Sequence, residues 1–131
     1  MKKKASKAII YTENLYLLQL RDKNTNSYPD QWSFFGGQVE DAETPWDGLK
    51  RELIEEINWA PDKGLFLYEW VNPEDNWIVS FYKVKFDGDF NDLSLHEGEK
   101  MEWFTYKKIK KLKNINDHVI YHINNALKNI N

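Results

Sequence analysis

One stretch restricts what this chain can fold into more than any other. Gly36 to Trp59 reads GGQVEDAETPWDGLKRELIEEINW, a glycine pair leading into a helix with signals at both ends. Thr44 is suited to the N-cap, Pro45 fits the first helical position with its fixed φ, and Asp47 falls in the first turn, where negative charge is favoured. Asn58 follows the last apolar position, Ile57, and asparagine is the usual substitute for glycine in a left-handed C-terminal cap. The helix is therefore expected from Pro45 to Ile57. At about 100° per residue, Trp46, Leu49, Leu53 and Ile57 gather on one side, while Glu52, Glu55 and Glu56 share another within roughly a 100° arc. One side suits burial, the other charge. Like charges at these spacings cost about 0.2–0.5 kcal/mol per pair, and only Arg51, four residues before Glu55, is placed to relieve them within the helix. Hard divalent cations such as Mg²⁺ take oxygen ligands and bind through a few carboxylates plus substrate phosphates. A metal-phosphate site accounts for the cluster; the alternative is a solvated acidic face. Gly48 costs roughly 1 kcal/mol against alanine inside a helix. We read it as clearance for a ligand, the alternative being close packing against a neighbouring loop.

The spacing in this stretch is Gly37, five residues, Glu43, seven residues, Arg51-Glu52-Leu53, one residue, Glu55-Glu56, one residue, Asn58-Trp59. It resembles the Nudix box, which has a glycine, a glutamate, Arg-Glu-aliphatic, a Glu-Glu pair, then glycine and an aliphatic residue at the same gaps. Asn58 replaces the glycine and Trp59 the aliphatic residue; asparagine can take the same cap conformation and tryptophan is still apolar.

The resemblance implies an α/β fold, an α/β/α sandwich with a mixed sheet. It also implies hydrolysis of a nucleoside diphosphate linked to another group, dependent on Mg²⁺, for which Mn²⁺ can substitute. By the family pattern Glu52, Glu55 and Glu56 hold metal, with the Gly37 carbonyl as a backbone ligand, and Glu43 and Arg51 form an ion pair that supports the box. Leu95-His96-Glu97-Gly98, ahead of Glu102-Trp103-Phe104, resembles the segment that supplies a further metal ligand or base in many members, and Glu97 is the residue carried over. Glu99 and Glu102 lie close by, and a solvated acidic loop is the alternative. The catalytic base is left open among Glu52, Glu56 and Glu97. All the box carboxylates are present, which favours an enzyme over a non-catalytic nucleotide-binding module or an acidic interaction domain.

Substrate choice is less constrained. Asp75, Asn76 and Trp77 stand where dinucleoside polyphosphate hydrolases of the family carry a tyrosine, and Pro73 is near, but not clearly at, the position of a proline in ADP-ribose hydrolases. A (deoxy)nucleoside triphosphate is the first expectation and a nucleotide sugar the second.

The 131 residues suit one domain spanning residues 1–131, with 41% hydrophobic and 15% aromatic residues to build a core. A net charge of −3 argues against a general nucleic-acid-binding surface; the small-molecule partner, a nucleoside diphosphate derivative, is what the resemblance implies, and an anionic substrate would have to be held through metal. No cysteine is present, and no secretory or membrane-spanning segment is evident, so we expect a cytoplasmic protein without a membrane partner. A homodimer is left open.

Lys7 to Tyr11 and Leu15 to Arg21 read as a hairpin, Asp22 to Asp30 as an exposed loop, and Trp32 to Phe35 as a strand feeding Gly36-Gly37. Tyr28 and Trp32 are candidates to stack on a nucleobase, against the alternative of core or rim packing. Leu65 to Val71 and Trp77 to Phe86 form a second expected hairpin, followed by a short strand at Met101 to Thr105. A helix is expected from Asn116 to Lys128, apolar at Val119, Ile123 and Leu127. His118 and His122 have metal-ligand spacing but no evident further ligand, and read as surface or interface histidines. The lysines from Lys107 to Lys113 read as a solvated basic face.

Overall fold

The computed structural model describes residues 3–25, 28–96 and 98–128. Strand β1 (Lys4–Thr12) turns back through Glu13, at φ 51°, into the antiparallel β2 (Leu15–Leu20), with Ile10 opposite Leu17. β3 (Trp32–Ser33) pairs with the end of β2, and β4 (Phe35–Gln38) pairs with the first half of β1, Lys7 opposite Gly36. Helix α1 (Pro45–Ile57) follows, then the antiparallel hairpin β5 (Leu65–Val71) and β6 (Ile78–Lys85), a 3₁₀ turn at Phe90–Asp92, and β7 (Lys100–Thr105). A short helix α2 (Tyr106–Ile109) and a longer helix α3 (Asp117–Lys128) close the described chain. β1 runs parallel to β6, while the other strand pairs are antiparallel, so the described residues form one mixed seven-stranded sheet.

Alternation along the strands divides the core. Ile9, Leu18, Phe34 and Phe81 face α3 and pack with Val119, Ile123 and Ala126; Ile10, Leu17, Phe35 and Tyr82 face α1 and pack with Leu49, Leu53 and Ile57. The period-two pattern of strands and the 3.6-residue pattern of helices thus meet on both faces. Each fully buried leucine or isoleucine contributes roughly 1.5–3 kcal/mol relative to exposure, so the sheet and both helices are stabilised together. This is the expected α/β sandwich. No helix among the described residues is long and apolar enough to cross a membrane.

Three local expectations change. The strand expected from Trp32 to Phe35 is broken at Phe34 into β3, on β2, and β4, on β1. Gly36 and Gly37 were expected just beyond a strand, but they lie within β4. Gly36 sits at φ 137°, and a Cβ there would collide with the Ser6 carbonyl of β1, so this glycine permits close approach between strands. The helix α2 was not anticipated. Its four residues are too few to show a periodicity, and it starts at Thr105, whose hydroxyl accepts from the Lys108 N–H at 3.2 Å.

Candidate active site

Helix α1 is fixed at both ends. Thr44 Oγ1 accepts from the Asp47 N–H at 3.1 Å, and Ser6 Oγ donates to the Pro45 carbonyl at 2.8 Å, tying the first turn to β1. At the other end Asn58 sits at φ 57°, ψ 40°, donating to Ile54 O at 3.0 Å. The remaining carbonyls are covered by the segment before β7: Ser94 N–H donates to Ile57 O, His96 N–H to Glu56 O and His96 Nδ1 to Glu55 O, at 3.1, 2.8 and 3.0 Å. A buried helix end would otherwise leave these acceptors unpaired.

The carboxylates on this helix occupy distinct environments. Glu55 is half exposed, with 56% of its side-chain surface open, and Glu52 is largely enclosed at 18%. Glu56 is buried at 2%, and its Oε2 accepts from the Gly36 N–H at 3.1 Å. The acidic arc was expected on the exposed side of α1, so the burial of Glu56 is a correction: β4 crosses that side and covers it. Gly37 makes this packing feasible, since a Cβ there would lie 2.7 Å from both Glu52 carboxylate oxygens. Gly48 has a different role from the ligand clearance expected of it. A Cβ would meet Glu43 Oε1 at 3.2 Å and Val39 at 3.5 Å, so it packs against the loop before the helix.

Arg51 joins these parts. Its Nε and Nη2 donate to the two Glu43 oxygens at 2.8 and 3.1 Å, Nη2 also donates to Gln38 O at 3.0 Å, and Nη1 lies 3.1 Å from Glu52 Oε1 and 3.4 Å from Glu55 Oε2. Such a bidentate pair fixes orientation as well as charge. Hydrogen bonding from Arg51, and then from the Glu40 N–H, holds the Glu43 carboxyl below its usual pKa; the same pair raises that of Arg51.

A cavity of about 480 Å³ begins at Gly36, Gly37, Glu52 and Glu56 and runs to Trp70, Trp77 and Phe81 beneath α3. Lys7 and Arg21 also line it. Tyr28 lines it too, at φ 49°, with its hydroxyl donating to Glu74 Oε2 at 2.9 Å and accepting from Asn72 Nδ2 at 3.1 Å. Trp32 reaches the wall but is 5% exposed and meets Phe104 edge-on at 4.9 Å. Glu97 lies outside the described residues. Glu99 anchors its neighbourhood to β2, its N–H donating to Leu20 O at 2.9 Å.

His122 is not at the surface, where both histidines had been expected, while His118 is partly exposed. His122 is 1% exposed, stacked on Phe81 at 3.9 Å and edge-on to Trp70 at 4.5 Å. Its Nδ1 is 2.8 Å from the Tyr68 hydroxyl. Burial, aided by His118, pushes its pKa down to about 3, so the ring is neutral. His118 meets Trp70 edge-on at 5.0 Å. The signal for this end was present but weak: Tyr68 and Trp70 alternate on one face of β5, and the two histidines are four residues apart on α3.

A divalent cation fits the donor set by chemistry, because the carboxylates of Glu52, Glu55 and Glu56 and the nearby backbone carbonyls are all oxygen donors. Among the described residues no three acidic or histidine side chains form a ready cage.

The NUDIX domain family model matches residues 1–123. A MutT protein from Methanosarcina mazei Go1 has a similar fold, with TM-score 0.81 and 20% identity over 99% of this chain and 96% of that one. A NUDIX-family hydrolase from Clostridium perfringens aligns with TM-score 0.77 and 16% identity over 100% and 99%. The NUDIX domain of Shewanella oneidensis NrtR, in complex with ADP ribose, aligns with TM-score 0.79 and 13% identity over 98% and 88%.

Proposed function

This chain belongs to the Nudix hydrolase family, and from that premise we propose that it is an Mg²⁺-dependent pyrophosphohydrolase of nucleoside diphosphate derivatives, with a (deoxy)nucleoside triphosphate as its first substrate class. The observation that carries this reading is the continuity of one cavity from the Glu52 and Glu56 carboxylates to the Trp70, Trp77 and histidine end. A diphosphate at the first end and a base at the second is the division of labour this suggests.

In this reading Glu52, Glu55 and Glu56 would provide the carboxylates for one or more divalent cations, with Gly37 O as a backbone donor. A cation bound there would supply charge neutralisation and Lewis acidity at the diphosphate. Water attacks one phosphorus; a P–O bond forms, the bridging P–O bond breaks, and a carboxylate among Glu52, Glu56 and Glu97 takes the proton from the water. Glu43 and Arg51 keep the ligands oriented. Tyr28 orders the rim of the base end through its bonds to Glu74 and Asn72, and Trp32 supports that wall by its packing on Phe104.

The test is a turnover screen of nucleoside triphosphates, nucleotide sugars, dinucleotides and ADP-ribose, with Mg²⁺ and with EDTA. ADP-ribose is included because the Shewanella domain was solved with it. Hydrolysis with Mg²⁺ that EDTA abolishes supports the reading; nucleotide binding without turnover under any condition overturns it in favour of a binding module.

A further inference from the structure

The buried side-chain polar atoms without a hydrogen-bond partner among the described residues are Gln31 Oε1, Ser33 Oγ, His118 Nδ1 and His122 Nε2. Every one of these residues lines the same cavity. A buried polar atom left unmade costs more than its hydrogen bond gains, so their concentration in one place points to a ligand that completes them.

For His122 the missing partner can be specified. Asn125 Nδ2 donates to the Tyr68 hydroxyl at 3.2 Å, and that hydroxyl lies 2.8 Å from His122 Nδ1. A hydroxyl has one proton to give. Of the hydroxyl's two neighbours here, Asn125 Nδ2 can only donate and Nδ1 alone can accept, so the arrangement that pairs the Tyr68 proton within this network places it on Nδ1 and leaves the proton of the neutral ring on Nε2. A half-turn of the ring would keep its plane against Phe81 but set a carbon opposite the Tyr68 hydroxyl, so the Tyr68 bond is what distinguishes the two orientations. In that tautomer Nε2 is a donor at the cavity wall.

We propose that His122 Nε2–H selects a base that presents a carbonyl oxygen over one that presents an amino group. An exocyclic amino group facing it would set two donors against each other, whereas a carbonyl oxygen accepts the bond. This rests on the reading of the cavity as a nucleoside-phosphate site and deepens it. Ser33 Oγ and His118 Nδ1 remain to bond other edges of the same base. Asn125 and Tyr68 act as positioning residues, setting the tautomer without touching the ligand.

Inosine and adenosine triphosphates present this choice, because hypoxanthine carries a carbonyl, with a protonated N1 beside it, where adenine carries an amino group beside a bare N1. The expected kcat/KM ratio favours inosine triphosphate about tenfold in the wild type, the scale of one satisfied buried donor against one opposed donor. His122→Phe keeps a stacking ring but removes the donor, and should bring the ratio to about one. Tyr68→Phe, which frees the tautomer, should lower the ratio partway, and melting temperatures show whether each variant is folded. A wild-type ratio of one or below overturns the proposal, as does an unchanged ratio in folded His122→Phe. If His122→Phe fails to fold, the Tyr68→Phe ratio decides: unchanged, it overturns the assignment. Should neither triphosphate be hydrolysed, inosine and adenosine diphosphates are compared by calorimetric binding. Absence of binding by both refutes the nucleotide reading itself, while equal binding refutes only the selection by His122.

Discussion

The two ends of the cavity are built on opposite principles. At the α1 end, charge is held by charge: Arg51 spans Glu43, Glu52 and Glu55, and the Gly36 N–H fixes Glu56, all drawn from about twenty consecutive residues. At the α3 end, neutral rings hold a few polar atoms, and Ser33, Tyr68, Trp70, Phe81 and His122 come from four separate elements. The first arrangement resists alteration, since each group has a defined partner, Arg51 for Glu43, Glu52 and Glu55 and the Gly36 N–H for Glu56. The second has spare hydrogen-bonding capacity. We draw from this that the local motif sets the chemistry and the distributed wall sets what enters.

If that division holds, variants at the two ends separate in kinetics. Glu56→Gln retains an oxygen that can accept from Gly36 N–H but deletes a buried charge, so kcat should fall on the order of 10²–10³-fold, the scale of one preorganised electrostatic group. Steady-state assays at saturating Mg²⁺ check this, and activity within about threefold of wild type would break the comparison. Trp70→Ala removes ring surface at the far end. It should raise KM roughly tenfold with kcat little changed, the pattern of binding shared equally by ground and transition states.

The ends also respond differently to acid. The folded pKa of His122, about 3, lies below that of an unfolded histidine near 6.5. The unfolded chain therefore takes up a proton as pH falls through 6.5 while the folded ring stays neutral, and this contribution to stability is present above that pH and lost below it. Denaturant melts between pH 7 and 5.5 should show a loss of about 1 kcal/mol that His122→Phe removes. Glu43 has a lowered pKa, so its contribution is lost only as pH falls below the ordinary carboxylate range. The smallest effect concerns the helix cap: Asn58→Gly should change stability by only a few tenths of a kcal/mol, and Asn58→Val should cost about 1 kcal/mol at this positive φ. Thermal melts of the pair sharpen the claim that α1 ends where its ligands need it to.

The difference between the ends also explains what the sequence disclosed. Thr44, Pro45 and Asn58 define α1 by rules that act within a few residues, and the predicted bounds agree with the observed helix. The strand patterns of β1, β2, β5 and β6 are likewise local, so the sandwich was legible. The burial of Glu56 was not, because it depends on β4 crossing the helix, a contact twenty residues away in sequence. Gly48 was misread for the same reason: its neighbours, Glu43 and Val39, are brought to it by the loop's return. His122 looked superficial because helical spacing gives a face but does not say what covers it, and here Phe81 and Trp70 do.

The central claim is that one ligand spans both ends, its phosphates with a cation at Glu52 and Glu56 and its base beside His122. Thermal unfolding in four conditions tests this most directly: no addition, Mg²⁺ alone, a nucleoside diphosphate alone, and both. The account expects the gain in melting temperature with both present to exceed the sum of the separate gains by several degrees, because cation and diphosphate each complete the other's site. Strictly additive gains, or none from the nucleotide, would contradict it.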